Sequence, residues 1–271
     1  KMSTEQDQIK ELVKERYGAR AERVINLTPV ELNHTEGDGC GCSTDGACCG
    51  VEDLDHAMLL YNEGQLAGLP AESIAASAGC GNPTALAGLQ PGERVLDLGS
   101  GGGIDCFLAS QQVGETGKVT GLDMTPSMLE LARANKAKLG ITNVDFVQGE
   151  MEKMPIPDST VDVIISNCVV CLSPDKDAVF TESFRVLSPG GRIHLSDVMA
   201  LTTDGPSVSS PEDWVSCTAG AEHVDVYRDR LVRAGFKDIE FTSEQVDYMD
   251  KHPERPPTNT AGYKVVAHKP A

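Results

Sequence analysis

Residues 94–105, with the sequence Arg-Val-Leu-Asp-Leu-Gly-Ser-Gly-Gly-Gly-Ile-Asp, constrain the fold more than any other stretch of the chain. Val95, Leu96 and Leu98 predict a buried strand that runs into a glycine turn, and an amphipathic helix is expected to begin near Ile104. Glycines let the backbone approach a ligand closely and adopt positive φ. A strand, a glycine turn and a helix N-terminus in this order is how α/β proteins hold nucleotides at the carboxyl end of a sheet.

Short apolar segments and amphipathic segments alternate on either side of this turn. They predict strands at 94–98, 118–122, 143–148, 161–166 and 191–196, and helices at 104–113, 126–139 and 175–187. Further helices are expected at 3–16 and 225–235, and short strands at 238–242 and 263–267. Such alternation predicts βαβ units and an α/β fold, with a mostly parallel sheet and helices on both faces.

The charge of the chain argues against two classes of partner. Among 271 residues, 23 basic and 41 acidic side chains give a net charge of −18. Such a balance disfavours nucleic acid and anionic membranes as main partners. No apolar run approaches the roughly 20 residues of a membrane span, and the polar N-terminus has no signal-peptide pattern. We therefore expect a cytoplasmic, monomeric protein that binds neither nucleic acid nor membranes.

The spacing of the glycines argues against a dinucleotide. The Gly-x-Gly-x-x-Gly fingerprint fails in both registers, because Ile104 or Cys106 stands where the last glycine is needed. Asp97 lies just before the turn, where a carboxylate suits a cationic part of a ligand. Asp123 ends the second predicted strand, where an acid can accept hydrogen bonds from both ribose hydroxyls. Gly149 and Glu150 follow the third strand and are placed to frame an adenine.

Cysteines are the second unusual feature of the chain. There are nine, an odd number, so metal or thiol chemistry in a reducing compartment is a better interpretation than a disulfide framework. Cys168 and Cys171 follow the fourth strand, Cys80 precedes the first strand, and Cys217 follows the sheet. Converging thiolates select a soft ion. Zinc needs four ligands, usually in close pairs, whereas three sulfurs suit a three-coordinate element with a lone pair, such as trivalent arsenic.

The motifs resemble those of S-adenosylmethionine-dependent methyltransferases of the Rossmann-like class I, and specifically those of arsenite methyltransferases. The resemblance covers most of 67–240 and rests on Gly79–Pro83, Val95–Cys106, Ser166–Cys168 and Cys217–Gly220. It implies that the chain transfers methyl groups from S-adenosylmethionine to arsenite and methylarsenite in arsenic detoxification, with thioredoxin or glutathione as reductant. It also implies an N-terminal Cys-rich segment and a C-terminal cap region, with domains at 1–66, 67–200 and 201–271.

The resemblance assigns roles to individual residues. Cys80, Cys168 and Cys217 would bind As(III) and be catalytic, and either Cys48 or Cys49 would exchange with Cys80 during the redox cycle. Cys171 is an additional thiol that the family usually lacks. The expected cofactor-binding residues are Asp97, Gly99, Ser100, Gly101, Gly103, Asp123, Met124, Glu150, Met151 and Asn167.

Two other functions are compatible with the residues. The chain could methylate an organic small molecule, in which case the cysteines would be incidental. It could instead be a non-catalytic protein that binds a metal or metalloid through its thiols, which would explain residues 40–49 but not the cofactor motifs.

Overall fold

The computed structural model describes residues 4–26, 60–79, 81–204, 214, 218–243 and 259–271. The Cys-rich stretch at 33–50 lies outside these residues. In the order of the chain, the described helices are α1 (Glu5–Asn26), α2 (Glu63–Leu66), α3 (Ala71–Ala75), α4 (Pro83–Ala87), α5 (Ile104–Val113), α6 (Pro126–Leu139), α7 (Lys176–Val186) and α8 (Val224–Ala234), with a short 3-10 helix at Val170–Leu172.

The strands form one sheet in the described part of the chain. They are β1 (Arg94–Leu98), β2 (Lys118–Asp123), β3 (Val144–Gln148), β4 (Val161–Asn167), β5 (Leu187–Ala200), β6 (Glu222–His223), β7 (Lys237–Ser243) and β8 (Thr260–His268). Their order is β3-β2-β1-β4-β5-β8-β7, and β6 pairs with β5. β1 to β5 are parallel, and β8 is antiparallel to both β5 and β7.

Two apolar clusters cover the two faces of the sheet. On one face, Val95 and Val163 pack with α5 and with Leu89. On the other face, Leu96 and Ile164 pack with α7 and α8. Alternate residues of β1 and β4 therefore belong to opposite cores, as expected when helices cover both sides of a parallel sheet. The α/β fold with helices on both faces is confirmed.

The structure refines several boundaries. α1 extends to Asn26 rather than residue 16, and β5 begins at Leu187, within the stretch expected to end the preceding helix. α5 is buried on nearly all sides rather than on one face, because α4, β1 and β2 surround it. The two C-terminal strands extend the sheet itself. Among the described helices, none has the length and apolar character needed to cross a membrane.

Candidate functional site

A cleft of about 970 Å³ opens at the carboxyl ends of β1 to β4. We call this cleft the cavity. Eight of the expected site residues line it: Gly99, Ser100, Gly101, Asp123, Met124, Met151, Asn167 and Cys168. The parallel strands thus bring together residues that are widely separated in the sequence.

The glycine turn after β1 is held in place by Asp123. One carboxylate oxygen accepts a hydrogen bond from the Gly101 amide at 2.9 Å, and the other accepts one from the Thr125 amide at 2.8 Å. Gly99 has φ +67°, and a Cβ there would lie 2.5 Å from Val169. Only glycine fits this position without strain. Burial raises the pKa of Asp123, and the hydrogen bonds from the Thr125 and Gly101 amides oppose that effect.

Asp97 and Gly103 lie behind the turn rather than on the cavity wall. The Asp97 side chain is buried, and its carboxylate accepts a hydrogen bond from the Cys106 thiol at 3.2 Å. Burial and the nearby charge of Asp105 raise the pKa of Asp97 well above its usual range. Gly103 caps α5 with φ +91°. Both residues therefore shape the floor beneath the turn.

A further carboxylate in the cavity lining is that of Asp105, which sequence reasoning missed. It lies in the first turn of α5 and lines the cavity, although it is only 5% exposed. The Tyr61 hydroxyl donates to its carboxylate, with 3.0 Å to each oxygen, and the Asn167 amide lies 3.2 Å from one oxygen. Burial raises the pKa of Asp105 to about 6, against these hydrogen bonds. The sequence does contain a signal for this residue, because Asp105 is an acid that closely follows the glycine turn.

Helix α1 covers one side of the cavity, which the sequence did not indicate. Lys10, Val13 and Tyr17 project from it into the lining. The Lys10 ammonium lies 2.7 Å from Glu150 and 3.4 Å from Glu152, in the loop after β3. Glu150, expected to frame an adenine, is therefore turned toward Lys10, whereas Glu152 lines the cavity.

Cys168 lies on the cavity wall immediately after β4. Its side chain is buried, and its backbone has φ +58°, in the left-handed region that non-glycine residues rarely adopt. The Cys168 amide donates to the Ser196 carbonyl at 2.7 Å, which fixes this conformation. Strained backbone of this kind, about 1–3 kcal/mol, often marks a functional site. The Cys168 sulfur is in a disulfide bond in this structure.

Cys80, Cys217, Cys48 and Cys49 lie outside the described residues, but the neighbours of two of them are described. Gly79 lines the cavity, and Gly81 exchanges hydrogen bonds with Asn167, the residue before Cys168.

The neighbours of Cys217 also contact the turn that follows β4. The Trp214 indole donates to the Leu172 carbonyl at 3.0 Å. Gly220 lies against the Cys171 carbonyl so closely that a Cβ would be 1.8 Å from it. The segments on both sides of Cys217 thus contact the 3-10 helix just after Cys168.

Cys171 is a buried thiol, not part of a disulfide, on this 3-10 helix. It hydrogen-bonds to the buried carboxylate of Asp197, which also accepts a hydrogen bond from the Tyr227 hydroxyl at 3.1 Å. Burial raises the pKa of Asp197, whereas the Cys171 hydrogen bond and the charge of Lys176 lower it. Cys106 is likewise buried and not part of a disulfide. Both thiols therefore have structural partners in the core.

Comparison with known proteins shows that this chain is similar to methyltransferases, including arsenite methyltransferases. Residues 89–252 match the methyltransferase domain family. An arsenite methyltransferase of Halobacterium salinarum is 42% identical over 235 residues, which are 86% of this chain and 59% of the relative. One of Aquipseudomonas alcaligenes is 36% identical over 209 residues, covering 73% of this chain and 58% of the relative. The chain thus spans a little under three fifths of the length of these curated relatives.

A solved structure of an arsenic methyltransferase is also similar to this chain. The crystal structure of an arsenic(III) S-adenosylmethionine methyltransferase from Chlamydomonas reinhardtii matches with a TM-score of 0.63 and 38% identity. The match covers 77% of this chain and 72% of that one.

Proposed function

The chain belongs to the arsenite methyltransferase family of methyltransferase-domain proteins, and on that premise we propose that it transfers methyl groups from S-adenosylmethionine to trivalent arsenic held by cysteine thiolates. The products would be methylated arsenicals, and the role would be arsenic detoxification. The observation that carries this proposal is that Cys168 lies on the cavity wall while the described neighbours of Cys80 and Cys217 contact the residues around it.

The cavity has the features that a sulfonium cofactor needs. S-adenosylmethionine would supply an electrophilic methyl group and carries positive charge at its sulfonium and amino groups. The Asp105 carboxylate lines the cavity, and the glycines of the turn bring the backbone at 99–102 to the cavity wall. The Ser100 hydroxyl is buried with no hydrogen-bond partner among the described residues. We assign Asp105 to the cationic part, and Asp123 to the ribose.

Trivalent arsenic suits three convergent thiols. Arsenite can exchange three hydroxyl groups for three cysteine sulfurs and release three waters, so that no net proton is gained or lost. Arsenic bound in this way keeps its lone pair, which would attack the methyl carbon as the bond from carbon to the sulfonium sulfur breaks and S-adenosylhomocysteine leaves. The arsenic would thereby become pentavalent, and two electrons from thiols would return it to the trivalent state as a disulfide forms. No side chain has to act as a general base. The chain's task is to hold the arsenic close to the methyl group in a water-poor site.

The redox state of Cys168 supports a requirement for a thiol reductant. In this structure the Cys168 sulfur is in a disulfide bond, and a disulfide sulfur cannot serve as a thiolate ligand. We propose that thioredoxin or glutathione reduces this bond before arsenic binds. Either Cys48 or Cys49 would exchange with Cys80 in later steps. The protein is proposed to act as a monomer in the cytoplasm, independently of nucleic acid and membranes.

Product analysis tests the proposal directly. The reduced protein is incubated with arsenite, a thiol reductant and methyl-labelled S-adenosylmethionine, and arsenic species are separated by chromatography with arsenic detection. We expect labelled methylarsenicals. Transfer of the label to an organic acceptor, with none to arsenic at any thiol concentration, would instead support the alternative methyltransferase function. Tight thiol binding of metal without any product would support the binding-protein alternative.

Single cysteine variants separate the roles of the thiols. Cys168→Ser should abolish arsenite methylation while cofactor binding, measured by calorimetry, is unchanged within about threefold. Cys106→Ser is the matched control, because this buried thiol faces Asp97 rather than the cavity. Methylation that survives in Cys168→Ser would remove Cys168 from the ligand set.

A further variant tests the order of events. Cys80→Ser should impair the first methylation more than the second, because monomethylated arsenic can bind only two thiolates. Rates are measured separately with arsenite and with methylarsenite as substrate. Equal loss of both rates would contradict the assignment of Cys80 as the third thiol.

A further inference from the structure

We propose that Asn167 is a positioning residue that holds Gly79 and Gly81, the neighbours of Cys80 in the sequence, beside Cys168, and thereby controls whether arsenic is bound by three thiols or by two. This inference rests on the proposed function and extends it. Asn167 was expected to contact the cofactor. It lines the cavity, and its hydrogen bonds also reach Gly81, which follows Cys80 in the sequence.

The amide of Asn167 binds the backbone of Gly81 from both sides. Its oxygen accepts a hydrogen bond from the Gly81 N–H at 3.1 Å, and its nitrogen donates to the Gly81 carbonyl at 2.7 Å. Gly79 lies against the same amide, because a Cβ at Gly79 would be 2.2–2.5 Å from the Asn167 side-chain atoms. The residues immediately before and after Cys80 therefore both contact the Asn167 side chain.

The orientation of the Asn167 amide is fixed by its other neighbours. Its nitrogen lies 3.2 Å from the Asp105 carboxylate and 3.0 Å from the Tyr61 hydroxyl oxygen. A carboxylate only accepts hydrogen bonds, so the nitrogen must face Asp105 and the oxygen must face the Gly81 amide. An aspartate in place of Asn167 would put a carboxylate oxygen against the Asp105 carboxylate and the Gly81 carbonyl, and these oxygens would repel one another.

Asn167 therefore connects the segment of Cys80 with that of Cys168: its side chain binds Gly81, and its backbone is bonded directly to Cys168. Asn167 immediately precedes Cys168, whose strained backbone is itself tied to Ser196. If Gly79 and Gly81 lost these contacts, the thiol of Cys80 between them in the sequence would be held less closely, and its effective concentration at the arsenic would fall. Arsenite, which binds three thiols, would lose affinity. Methylarsenite, which binds two, would lose little.

The test compares the affinities of arsenite and methylarsenite for the full, reduced chain without cofactor. Trp214, the only tryptophan, hydrogen-bonds to Leu172 near Cys168, so its fluorescence reports binding. We expect Asn167→Ala to weaken arsenite binding about tenfold or more and methylarsenite binding less than about threefold. Gly79→Ala would place a methyl group against the Asn167 amide and so disturb the same contact. It should likewise weaken arsenite binding more than methylarsenite binding.

Tyr61→Phe is the matched control, because it removes a neighbour of the Asn167 amide but keeps both hydrogen bonds to Gly81. It should change the ratio of the two affinities by less than about threefold. An equal loss for both arsenicals in Asn167→Ala, or no loss for either, would overturn the inference. Failure of the unmodified chain to bind either arsenical would instead overturn the proposed function. Thermal unfolding of each variant excludes loss of the fold, which would weaken both arsenicals alike.

Discussion

Replacing Asp105 by asparagine should stabilise the free protein near neutral pH while it weakens cofactor binding. Burial raises the pKa of Asp105 from 3.8 to about 6. A pKa difference of one unit corresponds to 1.36 kcal/mol, so a shift of about two units makes the ionised carboxylate cost about 3 kcal/mol. The folded state binds the proton more tightly than the unfolded state. Stability therefore falls as pH rises from about 4 to about 6, and the full cost is present at about pH 7.

Asp105→Asn removes this cost but also loses part of the local hydrogen bonding. The amide oxygen can still accept from Tyr61, whereas the new amide nitrogen can no longer accept from Asn167. A hydrogen bond to a charged group contributes about 1.5–3 kcal/mol, so we expect a net gain of up to about 1.5 kcal/mol at about pH 7. At about pH 4.5 most of the wild-type carboxylate is protonated, and the gain should disappear.

Urea unfolding of the cofactor-free protein at several pH values measures this effect. Asp162→Asn is a suitable control, because Asp162 pairs with Arg94 at 2.6 Å and this hydrogen bond lowers its pKa. Its contribution is present at neutral pH and lost as pH falls, so this variant should lose up to about 1 kcal/mol at about pH 7 and less at lower pH. At neutral pH, Asp105→Asn should therefore raise the free energy of unfolding, and Asp162→Asn should lower it.

The same Asp105→Asn protein should bind S-adenosylmethionine at least about tenfold more weakly at about pH 7, because a cavity carboxylate facing a cation is lost. Calorimetry measures this affinity. A variant that is less stable than wild type at about pH 7, or equally stabilised at about pH 4.5, would refute the argument from burial. Unchanged cofactor affinity would refute the role of Asp105 in binding.

Three further substitutions test other parts of the site. Lys10→Met removes the cation that binds the loop after β3, and we expect cofactor affinity to fall about three- to tenfold by calorimetry. Lys14→Met should have no effect, because Lys14 pairs with Glu11 rather than with that loop. Cys171→Ala should lower the free energy of unfolding by about 1–2 kcal/mol but leave arsenite affinity within about threefold in a fluorescence titration. A tenfold loss would make Cys171 an arsenic ligand. Gly99→Ala should weaken cofactor binding about tenfold or more, whereas Gly140→Ala has similar positive φ with open space around it and should affect only stability.

The sequence by itself determined the α/β core and one side of the site. The strands β1 and β2 and the helices α5 and α6 lie within a residue of their predicted bounds, because hydrophobic periodicity and glycine turns are local signals. The carboxyl ends of parallel strands meet at one edge. The placement of Asp123 and Cys168 on the cavity therefore followed from strand order alone.

Only the tertiary structure decided which residues complete the cavity. Lys10 lines it, and Tyr61 hydrogen-bonds to Asp105 on its wall, both from segments far away in the chain. No local pattern encodes such contacts. Asp97 and Asp105 both carry carboxylates near the glycine turn. The sequence could not tell which one faces the ligand, because strand alternation does not reveal which face of a sheet a given helix will cover. Packing of α5 against β1 buried Asp97 with Cys106 and left Asp105 on the wall.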